Sequence, residues 1–189
     1  MQKEKAMAAV LILKVRSKEE EKILFEVRSE YVPQPLEICF PGGHVEKGES
    51  PEHTALRECE EELGIKKETI NIEGRLENAS RLIGGKICPI VGNCSESALE
   101  NIKVQSVEVK EVFTIPVKWL KETEFRHFSF NTAHIDDVEK REYHLPKQLK
   151  GYLKHYSFVG ETDYLEYEGH GIWGLTARIL KNALESGAL

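Results

Sequence analysis

The chain has 189 residues, with 26 Lys and Arg against 32 Asp and Glu, which gives a net charge of −6. Its 40% hydrophobic and 31% charged residues are ordinary for a globular protein and exclude the disordered and fibrous classes. The acidic balance argues against a nucleic-acid partner, because there is no basic excess to displace phosphate counterions. We expect one domain over residues 1–189.

The sequence also gives expectations about location. The longest apolar run, residues 6–13, is far shorter than the roughly 20 residues that span a bilayer, so we expect no membrane partner. The first residues lack a small-residue cleavage site, so no signal peptide is predicted. The four cysteines form no CxxC pair and are expected to be reduced, which predicts a cytoplasmic protein.

The predicted elements alternate between strands and helices. Strands are predicted where apolar and β-branched residues cluster, at 8–16, 22–27, 37–40, 70–76, 86–92 and 107–115. The central helix begins after the N-cap Ser50 and ends at Gly64. A short helix is predicted over 116–122 and a closing helix over 171–184. Strands interrupted by a central helix and closed by another predict an α/β (α+β) sandwich.

Residues 125–156 mix aromatic and charged side chains and give no clear periodicity. They predict either a substrate lid or a homodimer surface, or else an irregular excursion of the sheet.

The central helix carries an unusual set of carboxylates. At about 100° per residue, Leu56, Cys59 and Leu63 form a narrow apolar stripe, and three acids lie opposite it. These acids are Glu58, Glu61 and Glu62. Their mutual repulsion mildly destabilises a helix, and carboxylates on one face suit Mg²⁺ or Mn²⁺. The helix alone leaves two interpretations open, a solvated face and a metal site.

The residues before the helix favour the metal site. The loop Phe40-Pro41-Gly42-Gly43 permits close backbone approach, and Gly42 and Gly43 are candidates for binding a phosphate group. Glu49 stands at the helix entrance, where Arg57 can hold it through a bidentate pair.

The spacing of these residues resembles the Nudix box, G-x5-E-x7-R-E-U-x-E-E-x-G-U, where U is a bulky aliphatic residue. The chain supplies Gly43, Glu49 and residues 57–65, Arg-Glu-Cys-Glu-Glu-Glu-Leu-Gly-Ile, with Cys59 at the first U position as the soft departure. The resemblance implies the Nudix fold, a mixed sheet between helices. It also implies hydrolysis of a nucleoside diphosphate linked to another moiety.

The resemblance also suggests roles for individual residues. Glu58, Glu61 and Glu62, with a backbone carbonyl near Gly42, would hold Mg²⁺ or Mn²⁺, which would lower the pKa of an attacking water. Arg57 and Glu49 would orient those ligands. Either a box glutamate or Glu108, near a strand end, would be the general base.

Two further segments are similar to the coenzyme A diphosphatase branch: Val-Arg-Ser at 27–29 ahead of Phe-Pro-Gly-Gly, and residues 172–180, IWGLTARIL. That branch usually has an Arg and then a Gly upstream of Phe-Pro-Gly-Gly, where this chain has Val32 and Leu36. Arg28, or a residue within 126–150, would then have to bind the 3′-phosphate of coenzyme A.

Several functions remain open at this point. The alternative substrates are ADP-ribose, dinucleoside polyphosphates and nucleoside triphosphates. A non-catalytic nucleotide-sensing module and an isoprenoid diphosphate isomerase on the same fold are disfavoured, because the set of box residues is full.

Overall fold

A computed structural model describes residues 7–80, 85–100, 102–131 and 159–189 of the chain. The strands in these ranges are β1 Ala8–Arg16, β2 Glu21–Arg28, β3 Ile38–Cys39, β4 Gly42–His44, β5 Asn71–Arg75, β6 Ala79–Ser80, β7 Lys86–Ser95, β8 Val109–Pro116, β9 Arg126–Asn131, β10 Val159–Tyr167 and β11 His170–Trp173. The helices there are α1 Pro51–Leu63, α2 Val117–Glu122 and α3 Gly174–Glu185, with short 3₁₀ turns at Lys67–Thr69 and Glu96–Leu99.

The larger of two sheets is mixed. Its central strand β1 runs parallel to β7 along the whole strand and antiparallel to β2, while β5 and β6 flank β7 and β8 flanks β2. The smaller sheet is antiparallel in the order β11-β10-β9. The described residues therefore confirm the expected mixed sheet.

Two apolar cores lie on the two faces of the large sheet. Side chains alternate along β1, so that Leu11 and Leu13 face the core under α1 whereas Ile12 faces the core under α3. We call these the α1 core and the α3 core. Because β1 is buried on both faces, its sequence is an almost continuous apolar run. The helices therefore sandwich the sheet, as expected.

Strands β1 and β2 separate along their length. They pair only where Lys14–Arg16 meets Glu21–Ile23. Beyond that point β4 pairs with the start of β1, and β3 pairs with the end of β2. The short strands β3 and β4 therefore fill the gap between β1 and β2, and they place the Gly42–Gly43 turn there. Since α1 packs against β1 and β4, this strand gap lies beside α1, which we also call the box helix.

The ends of α1 follow from local chemistry, as predicted. The Ser50 hydroxyl accepts the His53 N–H at 3.2 Å, and Pro51 occupies the first turn, where a missing N–H costs nothing. Gly64 takes a left-handed φ of +71° and donates its N–H to the Glu60 carbonyl.

The predicted apolar face of α1 was right at Cys59 and Leu63, which are fully buried, but wrong in placing Glu62 opposite the buried face. Its buried residues are Thr54, Ala55, Cys59, Glu62 and Leu63, whereas Leu56 is only partly buried at the edge of the α1 core. The helix is rotated so that Glu62 lies inside the buried face rather than opposite it. A prediction from apolar residues alone places Glu62 in solvent. The predicted stripe therefore shifts toward Leu56.

This phase predicts unequal costs for two leucine truncations. Leu63 is 0% exposed, so Leu63→Ala should lower the free energy of unfolding by about 2–5 kcal/mol. Leu56→Ala should cost clearly less, since Leu56 is partly exposed. Urea denaturation of both variants measures the difference, and equal losses would contradict the phase.

Two other boundaries differ from the prediction. Gly42 and Gly43, expected to stop a strand, themselves form β4 on the edge of β1. The predicted helix over 171–184 begins only at Gly174, because Gly171, Ile172 and Trp173 belong to β11. Most of the 125–156 segment lies outside the described residues. No helix in the described part of the chain has the length and apolar character needed to cross a membrane.

Candidate active site

Arg57, in the middle of α1, is the centre of an ion-pair network. Its Nε and Nη2 donate to the two oxygens of Glu49 at 3.0 and 3.2 Å, which is a bidentate pair. Its Nη2 also lies 3.0 Å from Glu58 Oε1, and its Nη1 donates to Glu61 Oε2 at 3.0 Å. The same Nη2 donates to the His44 carbonyl at 3.3 Å. One guanidinium therefore joins the glycine turn to three carboxylates.

Glu49 is held in its ionised form. Hydrogen bonds from Arg57 and then from the Thr54 hydroxyl, which donates at 2.7 Å, lower the pKa of Glu49 to about 2. The backbone N–H of Glu46 also donates to this carboxylate, at 3.2 Å. Glu49 thus serves the loop as a fixed anion rather than as a proton donor or acceptor near neutral pH.

The Gly42–Gly43 turn approaches α1 more closely than any side chain would allow. The Gly42 N–H donates to Glu62 Oε2 at 2.9 Å. A Cβ on Gly43 would overlap the Glu58 carboxylate, and one on Gly42 would overlap the Ala9 carbonyl. Both glycines are therefore required sterically, one by the site and the other by the sheet.

A buried acid that sequence reasoning missed completes this arrangement. Glu26 on β2 is 2% exposed, and its Oε1 accepts the Cys39 thiol at 3.2 Å. Its Oε2 has no hydrogen-bond partner among the described residues. Alternation along β2 points Leu24, and hence Glu26, toward the α1 side. An acid within the apolar strand sequence Lys-Ile-Leu-Phe-Glu-Val was the signal that could have identified it.

Four carboxyl groups share this region, and we call them the carboxylate cluster: Glu26, Glu58, Glu62 and Glu108. Burial, followed by repulsion from the Glu26 carboxylate, raises the pKa of Glu62 above its usual range. Burial likewise raises the pKa of Glu26, which Glu108 and Glu58 raise further. Burial also raises the pKa of Glu58, against the opposing effect of Arg57. The site thus concentrates negative charge, which is opposed by Arg57 at Glu58 and by Arg28 at Glu26.

Glu108 reaches the cluster because its loop is bound to the end of α1. The N–H groups of Lys103 and Gln105 donate to the carbonyls of Leu63 and Glu62 at 2.9 and 2.8 Å. The Glu108 Oε1 accepts a hydrogen bond from Gln105 Nε2 at 3.3 Å. The structure therefore brings an exposed carboxylate beside the buried ones.

The loop with Glu108 is joined to the loop that follows β2. Ser29, 2% exposed, donates its N–H to the Glu108 carbonyl at 2.8 Å. Its hydroxyl bonds to the Val107 carbonyl and accepts the Tyr31 N–H at 3.2 Å. Residues 29–37 and 102–108 are thus connected through the backbone and side chain of one residue, and we call this connection the Ser29 tether.

Arg28 lies on the same face of β2 as Glu26, at the edge of the site. Its Nε donates to the Pro33 carbonyl at 2.9 Å, which holds the loop closed. Leu36, at one of the two positions where the coenzyme A branch differs, takes a left-handed φ of +64°. The backbone there adopts a conformation that favours glycine, although the residue is leucine.

Glu37 provides a test of the electrostatics beside Arg28. Burial raises the pKa of Glu37 from 4.5 to about 7, although the Arg28 charge opposes this. The folded protein then holds this proton more tightly than the unfolded chain. Stability from this group is present below about pH 4.5 and is lost as the pH rises toward about 7.

The variant Glu37→Gln should therefore gain stability relative to the parent as the pH rises from 4.5 to 8. The gain should reach at most about 3 kcal/mol, at about 1.4 kcal/mol per pKa unit. Urea denaturation of both proteins across this range measures it. A difference that is independent of pH would contradict the raised pKa.

The cluster suits a divalent cation in its chemistry but is not arranged as a finished metal site. Within the described ranges, no three His, Cys, Asp or Glu side chains are placed as a group that could hold a metal ion. Arg57 occupies Glu58 and Glu61, and Gly42 occupies Glu62. Hard carboxylate oxygens, with one buried oxygen of Glu26 unpartnered, are nevertheless the donors that Mg²⁺ and Mn²⁺ prefer. These contacts involve one oxygen of each carboxylate, so the second oxygen of each would be the one that binds a cation.

Comparison with known proteins decides the family. A family model described as the NUDIX domain matches residues 5–135, which is more than half of the chain. The chain belongs to the Nudix family. The box helix, the glycine turn and the Arg57 network all lie inside the matched Nudix region.

Two Nudix relatives extend the similarity. Nudix hydrolase 3 from Caenorhabditis elegans is 34% identical over 156 residues, which cover 78% of this chain and 59% of that protein. Mitochondrial coenzyme A diphosphatase NUDT8 from Mus musculus is 28% identical over 150 residues, covering 79% and 61%. The chain thus spans about three fifths of the length of these relatives.

A solved structure supports the Nudix fold. The crystal structure of a Nudix hydrolase from M. smegmatis, RenU, matches with a TM-score of 0.52 at 17% identity. It covers 62% of this chain and 74% of that one. At this identity the likeness concerns the fold alone.

Proposed function

We propose that the chain is a divalent-metal-dependent hydrolase that cleaves the diphosphate linkage of a nucleoside diphosphate derivative, with coenzyme A or its thioesters as the first candidate substrates. The observation that carries the proposal is the carboxylate cluster packed against the Gly42–Gly43 turn and joined to it by Arg57. Acids gathered at this density repel one another, and such an arrangement is typical of a functional site.

The proposed metal ligands are Glu58, Glu61 and Glu62, with the Gly42 carbonyl. A bound Mg²⁺ or Mn²⁺ would neutralise charge on the phosphates and lower the pKa of an attacking water. Gly43 leaves room for the Glu58 carboxylate, and Arg57 with Glu49 holds the ligand-bearing turn of α1 against the loop. These residues would position the reacting groups, and the proposed hydrolysis needs no covalent enzyme intermediate.

Glu108 is the proposed general base. It is exposed and interacts electrostatically with Glu26, Glu58 and Glu62, so its carboxylate faces the region where water and substrate would enter. Coordination to a cation makes a box glutamate less basic, so a separate acid is the better proton acceptor.

Coenzyme A is the first candidate because the chain is similar to a protein named as a coenzyme A diphosphatase. The products would be adenosine 3′,5′-bisphosphate and 4′-phosphopantetheine. Position 32 holds Val where the coenzyme A branch usually has Arg. We therefore propose that the Arg28 guanidinium binds the 3′-phosphate. Arg28 contacts the Pro33 carbonyl through Nε, and its two Nη groups would bind the phosphate.

A substrate panel tests the proposal: coenzyme A, acetyl coenzyme A, ADP-ribose, NADH, diadenosine polyphosphates and oxidised dGTP, each with Mg²⁺ and with Mn²⁺. We expect metal-dependent release of two phosphorylated products, with the highest kcat/KM for coenzyme A. If ADP-ribose is cleaved as efficiently as coenzyme A, the substrate proposal fails. If no member is hydrolysed, the hydrolase proposal fails and the nucleotide-sensing alternative gains support.

The remaining expectations stay predictions. These are one domain over residues 1–189, a cytoplasmic location and a homodimer. The predicted cytoplasmic location differs from that of the mouse relative, which is named as mitochondrial.

A further inference from the structure

Burial of Glu26 destabilises the fold, which suggests that this residue has a role beyond packing. An ionised carboxylate buried to 2% exposure costs several kcal/mol unless charge or strong hydrogen bonds compensate it. The thiol of Cys39, a weak donor, contacts one oxygen, and the other oxygen has no partner within the described residues. Purely structural acids in cores are usually satisfied on both oxygens.

No arginine hydrogen-bonds to Glu26 among the described residues, although the Arg28 charge partly offsets the effect of burial on its pKa. Arg28, on the same strand face, directs its Nε to the Pro33 carbonyl, and Arg57 is engaged by Glu49, Glu58 and Glu61. The residues that interact electrostatically with Glu26 include three acids, Glu58, Glu62 and Glu108. The unpartnered oxygen therefore lies among three other carboxylates, with the Arg28 charge near it but no donor bonded to it within the described residues.

We propose that Glu26 is a further ligand for the divalent cation, contributed by the sheet and not by the box helix. This inference rests on the proposed function, since it assumes that a cation binds at Glu58 and Glu62. Its geometric basis is the strand gap. β2 leaves β1 before Glu26, β3 places Cys39 beside it, and β4 places Gly42 where its N–H bonds to Glu62. Glu26 would then add a carboxylate from β2 to those that α1 contributes.

The test measures Mn²⁺ binding to the full chain without substrate, by isothermal titration calorimetry and by the EPR signal of free Mn²⁺. Replacing Glu26 by Gln keeps the size and leaves an uncharged amide. Loss of a residue that only orients a metal ligand weakens metal binding about 10–100-fold. Loss of Glu26, a ligand itself, should raise the Kd for Mn²⁺ by at least this factor.

The matched control is Glu37→Gln. Glu37 is another partly buried acid with a raised pKa, but the charge that acts on it is Arg28 and not the carboxylate cluster. Its replacement should leave the Kd for Mn²⁺ unchanged. Thermal unfolding without metal should show E26Q to be at least as stable as the parent, so that a loss of affinity cannot be attributed to unfolding.

The outcomes separate the two proposals. If the parent binds Mn²⁺ and E26Q binds it with the same Kd, the inference about Glu26 is overturned and the proposed function stands. If the parent does not bind Mn²⁺, the proposed function itself fails. Should E26Q not fold, E26T removes the same carboxylate with a β-branched residue that suits a strand, and its Kd decides the question in the same way.

Discussion

Glu62→Gln is expected to lower kcat/KM for the diphosphate substrate by several orders of magnitude while the protein remains folded. The substitution removes a proposed metal ligand, and the cation is expected to supply most of the charge stabilisation in the transition state. The Gln side chain oxygen can still accept the Gly42 N–H that now binds Glu62 Oε2. Steady-state kinetics with Mg²⁺, together with circular dichroism, measures both parts of this prediction.

The control for Glu62 is Glu60 on the same helix. Glu60 pairs with Lys66 at 2.7 Å and stands outside the carboxylate cluster, so Glu60→Gln should retain the parent's kcat/KM. The amide is essential to the design, because Glu62 is 5% exposed and a truncation would also remove packing. Parent-like activity in Glu62→Gln would show that Glu62 is not a ligand.

Arg57→Lys is expected to reduce kcat/KM by about 10²-fold, the usual cost of misplacing reacting groups by about 1 Å. A single ammonium cannot reproduce the bidentate pair with Glu49 and also contact Glu58, Glu61 and the His44 carbonyl. The charge is retained, so the loss would come from geometry. The kinetic constants of the variant, measured across a range of Mn²⁺ concentrations, test this.

Arg75→Lys provides the matched comparison for Arg57. Arg75 forms an ion pair with Glu52 in the first turn of the same helix but does not touch the cluster. Its replacement should leave kcat/KM close to that of the parent. If Arg57→Lys behaves like Arg75→Lys, the network around Arg57 is a surface feature and has no positioning role.

Local chemistry explains which parts of α1 could be predicted. Ser50, Pro51 and Gly64 fix the ends of the helix through contacts within a few residues of themselves, and these contacts are encoded in adjacent sequence. The strand β1 was equally clear, since burial on both faces demands an apolar run. The Arg57–Glu49 pair followed from the family's spacing.

The features that could not be predicted depend on the tertiary arrangement. The rotation of α1 is set by what fills the strand gap, and there the buried Glu62 bonds to a backbone N–H that no periodicity reveals. The acid within the apolar β2 sequence marks Glu26 as unusual, but its place near α1 follows only from the separation of β1 from β2. The β11 boundary failed because Ile172 and Trp173 suit strand and helix patterns equally, until Gly174 turns the chain at φ +64°.

The Ser29 tether has a consequence for attempts to change substrate preference. Because one buried serine bonds to the carbonyls of both Val107 and Glu108, the loops 29–37 and 102–108 form a single mechanical unit. An insertion in the first loop, chosen to widen the entrance for a bulkier nucleotide, would also pull on the backbone that carries Glu108. Directed evolution of this entrance would therefore need coupled libraries that vary both loops at once while keeping Ser29 fixed.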